Sequence, residues 1–171
     1  MRVCTLFWLV GCAPEGLPDP VDVPWVATGA CAASRQVTVG CVWDGDTFDL
    51  DRCGGERLRM LGIDAPEVAH ADSAAECGGE DARSALAAWL DGSEVDLGFD
   101  GRCTDDFGRT LAYVWTQDDE GHPVLVNAWM LQQGYVRLYR GYAAQTLRLE
   151  AQLVAAEDRA RAAGRGIWSG C

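Results

Sequence analysis

The sequence predicts an α+β fold with a mainly antiparallel sheet, on three observations. Five short stretches alternate apolar and polar residues with the period of a strand. Three others carry the helical period. Turn-forming glycines and a proline separate many of them. The first strand is "QVTVGCVW" (36–43), with Val37, Val39 and Cys41 on one side. "TFDLD" (47–51) is the second, and the double glycine of "RCGGE" (52–56) supports a hairpin after it. "RLRMLGI" (57–63) is the third; it ends at "DAPE" (64–67), where Pro66 blocks continuation and forces Ala65 extended. A helix over 79–91 aligns Ala82, Leu86 and Leu90, has acids in its first turn, and meets Gly92 at its end. "EVDLGF" (94–99) and "TLAYVWT" (110–116) complete the strands. Helices follow over 124–134 and 143–164, the second offering Leu147, Leu149, Leu153 and Ala156 to the core. Five strands interrupted and followed by helices fit a five-stranded barrel.

The 171 residues suffice for one domain with an ordinary core. A formal net charge of −12 argues against broad electrostatic capture of nucleic acid or anionic lipid. Any phosphate contact must be local, through a few placed cations or a metal. The N-terminus, "MRVCTLFWLVGC", sets one arginine before an apolar run too short to span a bilayer, and 1–11 reads as a signal peptide. "LVGC" resembles a bacterial lipoprotein cleavage box, which would leave Cys12 lipidated and the protein anchored to a membrane of the cell envelope. A buried N-terminal strand is the plain alternative. Residues 12–35 hold four of the six prolines and read as a tether to a domain over 36–171. Of eight cysteines, removal of Cys4 and lipidation of Cys12 leave six, an even number. With two histidines and no CxxC or HxxxH spacing, disulfides in an oxidising compartment are a better reading than zinc.

The chemistry gathers at strand ends. Asp44 and Asp46 of "VWDGDTFDL" lie between the first two strands, and Asp64 and Glu67 lie where the third ends. If strands two and three pair so that position i opposes about 108 − i, Asp46 comes near Ile63 and Asp64 at one rim. Crowded carboxylates repel unless protons or a cation intervene, and hard oxygens suit Ca²⁺ or Mg²⁺. Taken alone, "DGD" is an ordinary turn. Arg59 shares strand parity with Leu61 and Ile63, so its charge needs a partner or ligand. Arg109 follows Gly108 just before a strand. Guanidiniums match phosphate oxygens two at a time, although each of these could instead be pairing with an acid. Trp89, Trp129, Leu131 and Trp168 are assigned to packing.

"VWDGDTFDL", "RLRMLGIDAPE", "DDFGRTLAYVW", "VNAWMLQQGYVRLY" and "GIWS", in this order over about 36–169, resemble the staphylococcal (thermonuclease) nuclease family. The resemblance implies an OB-fold barrel with about three helices, and Ca²⁺-dependent hydrolysis of DNA and RNA that leaves 3′-phosphate ends. It implies that Asp46, Asp64 and the Ala65 backbone carbonyl hold Ca²⁺, with Asp44 supporting them more remotely. Glu67 matches the water-handling glutamate, and Arg59 and Arg109 match the phosphate-binding arginines. Phe107 stands where staphylococcal nuclease has a tyrosine. Arg140 and Tyr142 fall near two more of its substrate-side tyrosines. That nuclease is basic and this chain acidic, which predicts weak ground-state affinity for nucleic acid. No protein partner is implied. Rival readings are a non-catalytic OB-fold module and a calcium-stabilised structural lipoprotein.

The resemblance supplies no template for the disulfides. If the first two strands fold about Gly45, position i opposes about 90 − i, and Cys53 faces the region of position 37 rather than Cys41. Spacing leaves the other pairings of six cysteines open; the candidates it favours are Cys31–Cys53, Cys77–Cys103 and Cys41–Cys171.

Overall fold

The computed structural model describes residues 31, 35–141 and 147–171. Alternation of apolar residues produces β1 (Arg35–Val42), β2 (Thr47–Leu50), β3 (Arg57–Met60), the short β4 (Ile63–Asp64), β5 (Glu94–Gly98) and β6 (Thr110–Gln117). Helix α1 (Gly79–Leu90) lies between β4 and β5. After β6 come β7 (Pro123–Leu125), α2 (Val126–Gln133), β8 (Arg137–Leu138), α3 (Glu150–Ala163) and a 3₁₀ turn (Gly166–Trp168). The sheet runs β3-β2-β1-β5-β6-β7, and β3 also pairs with β6. That second pairing closes a five-stranded barrel, the expected OB-type architecture with three α-helices. All pairings in the ring are antiparallel except β3–β6, which is parallel. Closure removes the exposed edges that an open sheet would present.

The core follows from the pattern. Val37, Val39, Phe48, Leu50, Leu58, Met60, Val95, Leu97 and Leu111 are buried, as are Ala82, Leu86 and Leu90 of α1. Leu147, Leu149, Leu153 and Ala156 are buried too. Trp89 and Trp129 pack at 4.6 Å between ring centroids, and Trp129 meets Tyr135 at 5.8 Å. Trp168 lies under the guanidiniums of Arg161 and Arg137, at 4.2 and 5.5 Å.

Several boundaries differ from expectation for local reasons. The third strand breaks after Met60, where Gly62 takes a φ of 76°, and resumes as β4. The break resets the parity, so Arg59 does not share an inward face with Leu61 and Ile63. The β2–β3 register is Thr47↔Arg59 and Phe48↔Leu58, two residues short of the expected offset. The backbone of Asp46 therefore meets Met60, whose N–H donates to its carbonyl at 2.8 Å. The start of the predicted 124–134 helix is instead β7, paired with β6. Helix α3 begins at Glu150; residues 143–146 of the longer predicted helix lie outside the described residues.

The disulfides correct all three expected pairs. They are Cys31–Cys103, Cys41–Cys53 and Cys77–Cys171, with Cα separations of 5.2, 4.8 and 5.6 Å. The β1–β2 register does run near the expected offset, with Val42↔Phe48 and Val39↔Leu50. Beyond Leu50, however, Asp51 adopts a φ of 65° and the chain folds back over β1. Arg52 then packs so closely on Gly40 that a Cβ there would strike its backbone. That crossing delivers Cys53 to Cys41. The β1–β5 pairing, Arg35↔Leu97, sets the chain before β1 beside the chain after β5, which brings Cys31 to Cys103. Ile167 packs against Gly78 and so carries the C-terminus to the start of α1 and Cys77. Proteolytic mapping without reductant is expected to recover peptides joined 31–103, 41–53 and 77–171; any exchanged pair contradicts this topology.

Candidate active site

Asp46 begins at the β1–β2 turn and ends fully buried. Its carboxylate accepts the Thr47 hydroxyl at 2.8 Å and the Ala65 backbone N–H at 2.6 Å. It is also ion-paired with Arg59. Arg59 extends from β3 and donates a second N–H to Asp64 at 2.6 Å and a third contact to the Ile63 carbonyl at 3.2 Å. One guanidinium thus joins acids 18 residues apart in sequence. Asp44 accepts the Asp46 backbone N–H at 2.9 Å. Burial pushes the Asp44 carboxyl above its ordinary value, partly opposed by the Arg59 charge, by hydrogen bonds from Thr47 and by Arg109.

Above these groups opens a cleft of about 440 Å³ lined by Asp44, Arg59, Glu67, Phe107 and Arg109, together with Arg102, Asp105, Asp106, Leu111, Tyr139 and Gly141. The Glu67 side chain is 67 % exposed. Its backbone is not free to drift. The Glu67 N–H donates to the Glu76 carboxylate at 3.2 Å, and its carbonyl accepts the Glu76 N–H at 2.8 Å. Gly79, at the start of α1, lies so close to the Glu67 carbonyl that any side chain there would collide with it. The Cys77–Cys171 bridge sits two residues before Gly79. On the opposite wall, Asp105 organises the turn that carries Arg109. It accepts the backbone N–H groups of Phe107 and Arg109, each at 2.9 Å, and the Arg109 Nε–H at 2.5 Å.

Asp44, Arg59, Glu67, Phe107 and Arg109 therefore line one cleft, with Asp46 beneath it and Asp64 and Ala65 attached through Arg59 and Asp46. Arg140 departs from expectation: it pairs with Glu157 at 3.4 Å and does not line the cleft. Its neighbour Tyr139 does, because β8 pairs Ile63↔Leu138 and the Tyr139 N–H donates to the Gly62 carbonyl. Tyr142 and Cys12 lie outside the described residues. Arg102 and Asp105 were missed by sequence reasoning. For Asp105 a signal was available, since an Asp three residues ahead of a glycine favours a turn in which its side chain accepts the N–H two residues on, here that of Phe107. Among the described residues, one set of three metal-capable side chains brings its ligand atoms within 4.8 Å: Asp118, Glu120 and His122, on the β6–β7 turn and not in the cleft. Asp46 and Asp64 do not form such a set, with Arg59 paired to both.

The sequence model of the family described as "Staphylococcal nuclease homologue" matches residues 57–170, more than half of the chain. The chain belongs to this family. It is 31 % identical over 117 residues to a thermonuclease of Staphylococcus intermedius, covering 68 % of this chain and 67 % of that one. It is 29 % identical over 150 residues to a thermonuclease of Staphylococcus hyicus, covering 85 % and 83 %. Against a micrococcal nuclease of Shigella flexneri it is 35 % identical over 133 residues, covering 75 % and 70 %. Membership of this nuclease family accords with the barrel and gives the cleft its context.

Within this staphylococcal nuclease homologue, Asp105 is the group whose titration has the clearest structural consequence. Burial raises its pKa, but the Arg109 and Phe107 N–H groups and the Arg109 guanidinium outweigh that and lower it below the ordinary 3.8. A carboxylate with a depressed folded-state pKa stabilises the fold above its unfolded pKa and loses that contribution as pH falls through the folded value. Asp105→Asn is therefore expected to lower the melting temperature at neutral pH, and the gap to the parent chain should close as pH falls below 3.8. A gap unchanged from pH 7 down to about pH 2 would contradict the assignment.

Proposed function

We propose that the chain is an exported, Ca²⁺-dependent endonuclease that hydrolyses DNA and RNA at the bond between phosphorus and the 5′ oxygen, leaving 3′-phosphates. The observation that carries this reading is one cleft lined by an exposed Glu67 carboxylate and by the guanidiniums of Arg59 and Arg109. The residues fit a hard divalent ion by their chemistry. Asp46 and Asp64 already share one cationic group, Arg59, and all candidate donors are oxygens. Asp46, Asp64 and the Ala65 carbonyl would hold Ca²⁺, with Asp44 behind them. When bound, the ion supplies positive charge to the phosphate oxygens.

The chain's own residues do the rest. Arg59 and Arg109 donate paired N–H groups to the non-bridging oxygens and stabilise the charge that builds on them. Arg59 exchanges a carboxylate for a phosphate to do so. Glu67 orients a water and accepts its proton as the water oxygen bonds to phosphorus. The phosphorus–5′-oxygen bond breaks, and the 5′ oxygen leaves with the electron pair and is protonated from solvent. Phe107, 84 % exposed, offers a ring but no hydroxyl to the substrate.

Three disulfides among the described residues support an oxidising compartment and hence export. Attachment through a lipid on Cys12, after removal of 1–11, belongs to the same proposal; the tether is then shorter than 12–35, because Cys31 is buried and bridged to Cys103 and Arg35 opens β1. Single-stranded DNA is expected to be cleaved in Ca²⁺, untouched in EDTA, and cleaved about 10²–10⁴-fold more slowly by Glu67→Gln. Equal rates in all three arms overturn the mechanism.

A further inference from the structure

Among the described residues the exposed large hydrophobic side chains are three aromatics: Trp43, Phe107 and Tyr139. Each has an arginine at its face: Arg57 over Trp43 at 4.4 Å, Arg109 over Phe107 at 5.4 Å and Arg59 over Tyr139 at 6.0 Å. Phe107 and Tyr139 line the cleft already described. Trp43 does not. It lines a second groove of about 850 Å³ that shares Asp44 and Arg109 with that cleft, so the two are continuous. None of the residues assigned to hydrolysis explains this groove's far end.

That far end is built. Behind Arg57 lies Asp49, a fully buried carboxylate that accepts the Gly54 N–H at 2.7 Å and the Arg57 Nε–H at 3.3 Å. The buried anion thus holds the guanidinium that stacks on the Trp43 ring. The Cys41–Cys53 bridge forms part of the wall and fixes the hairpin behind Arg57 to β1. Trp43 nonetheless stays 47 % exposed, an ordered indole open to solvent. Arg83 lines the groove as well, paired to exposed Glu80 at 3.3 Å, a bond that a phosphate can replace. An aromatic plate with cations beside it suits a base with its adjoining phosphate. Its continuity with the cleft through Arg109 suits the same strand.

We propose that the Trp43–Arg57 groove is an extended subsite for single-stranded nucleic acid, stacking a base of the substrate strand beyond the scissile phosphate while Arg57 and Arg83 meet its backbone. A duplex would have to unstack to reach it. The inference rests on the nuclease reading for its choice of ligand, but it is measured separately.

The test compares Trp43→Ala and Trp43→Phe with the parent chain on a dinucleotide having one phosphodiester bond and on a single-stranded dodecanucleotide. Trp43→Ala is expected to lower kcat/KM for the dodecanucleotide about tenfold, mainly through KM, and to leave the dinucleotide unchanged; Trp43→Phe retains most of the long-strand activity. Loss of equal size on both substrates, or none on either, overturns the subsite. Binding is read independently in the Glu67→Gln background. There the dodecanucleotide is expected to quench indole emission, and Trp43→Ala to remove that quenching. If the parent chain cleaves neither substrate while this quenching persists, the subsite stands and the nuclease reading fails. Shielding of Trp43 from acrylamide in the ligand-free chain would put another segment of the chain in the groove and overturn the proposal.

Discussion

A buried carboxylate governs the rest of this molecule. Asp46 is fully removed from solvent at the start of β2, and an ionised group in that position is stable only if its oxygens are satisfied and its charge is met. Thr47, Ala65 and Arg59 meet those demands. Each comes from a different place: β2 itself, the chain after β4, and β3. The requirement to satisfy one anion therefore pins three segments to a single rim of the barrel. Arg59, held there, also engages Asp64, and the acids at separate strand ends become one constellation.

The other parts of the cleft are held by comparable but separate devices. Glu67 is fixed through its backbone by Glu76 and by the close approach of Gly79, ahead of which a disulfide ties the C-terminus. Arg109 is fixed by the Asp105 turn. The groove beside them is fixed by a second buried carboxylate, Asp49, and a second disulfide. Each of these side chains is thus braced from behind by a carboxylate, a close backbone contact or a disulfide. Preorganisation of this kind matters for displacement at phosphorus, where the protein contributes chiefly position and charge. It also gives a chain of net charge −12 a local cationic lining, with Arg59, Arg102 and Arg109 on one cleft.

Much of this was legible in the residues. The alternation of β1, β2 and β6 and the helical period of α1 depend on which side chains avoid water, and pattern reports that directly. The strand-end acids and the two arginines were found because charge next to apolar strand is costly enough to need a reason. What escaped was set by backbone conformation and distant pairing. The left-handed Asp51 sends Cys53 back to Cys41, and a residue of that type gives no period to read. The Cys31–Cys103 bridge follows from the β1–β5 pairing across more than fifty residues of intervening chain, which local pattern does not encode. The break at Gly62 shifted the parity argument for Arg59 without harming its conclusion, because the guanidinium was required by Asp46 rather than by its strand face. Tyr139 took the place expected for Arg140 because a two-residue strand, β8, sets the phase there, and so short a segment has no detectable alternation.

Arg59 competes for the acids it holds together: the same charge that organises Asp46 and Asp64 would oppose a divalent ion there. Calorimetric titration of Ca²⁺ into Arg59→Gln and the parent chain tests this most directly. Tighter binding by the variant, by about tenfold, with cleavage nearly abolished, is the predicted result. Weaker Ca²⁺ binding by the variant than by the parent would contradict the claim that these carboxylates form one cation site under the control of a single guanidinium.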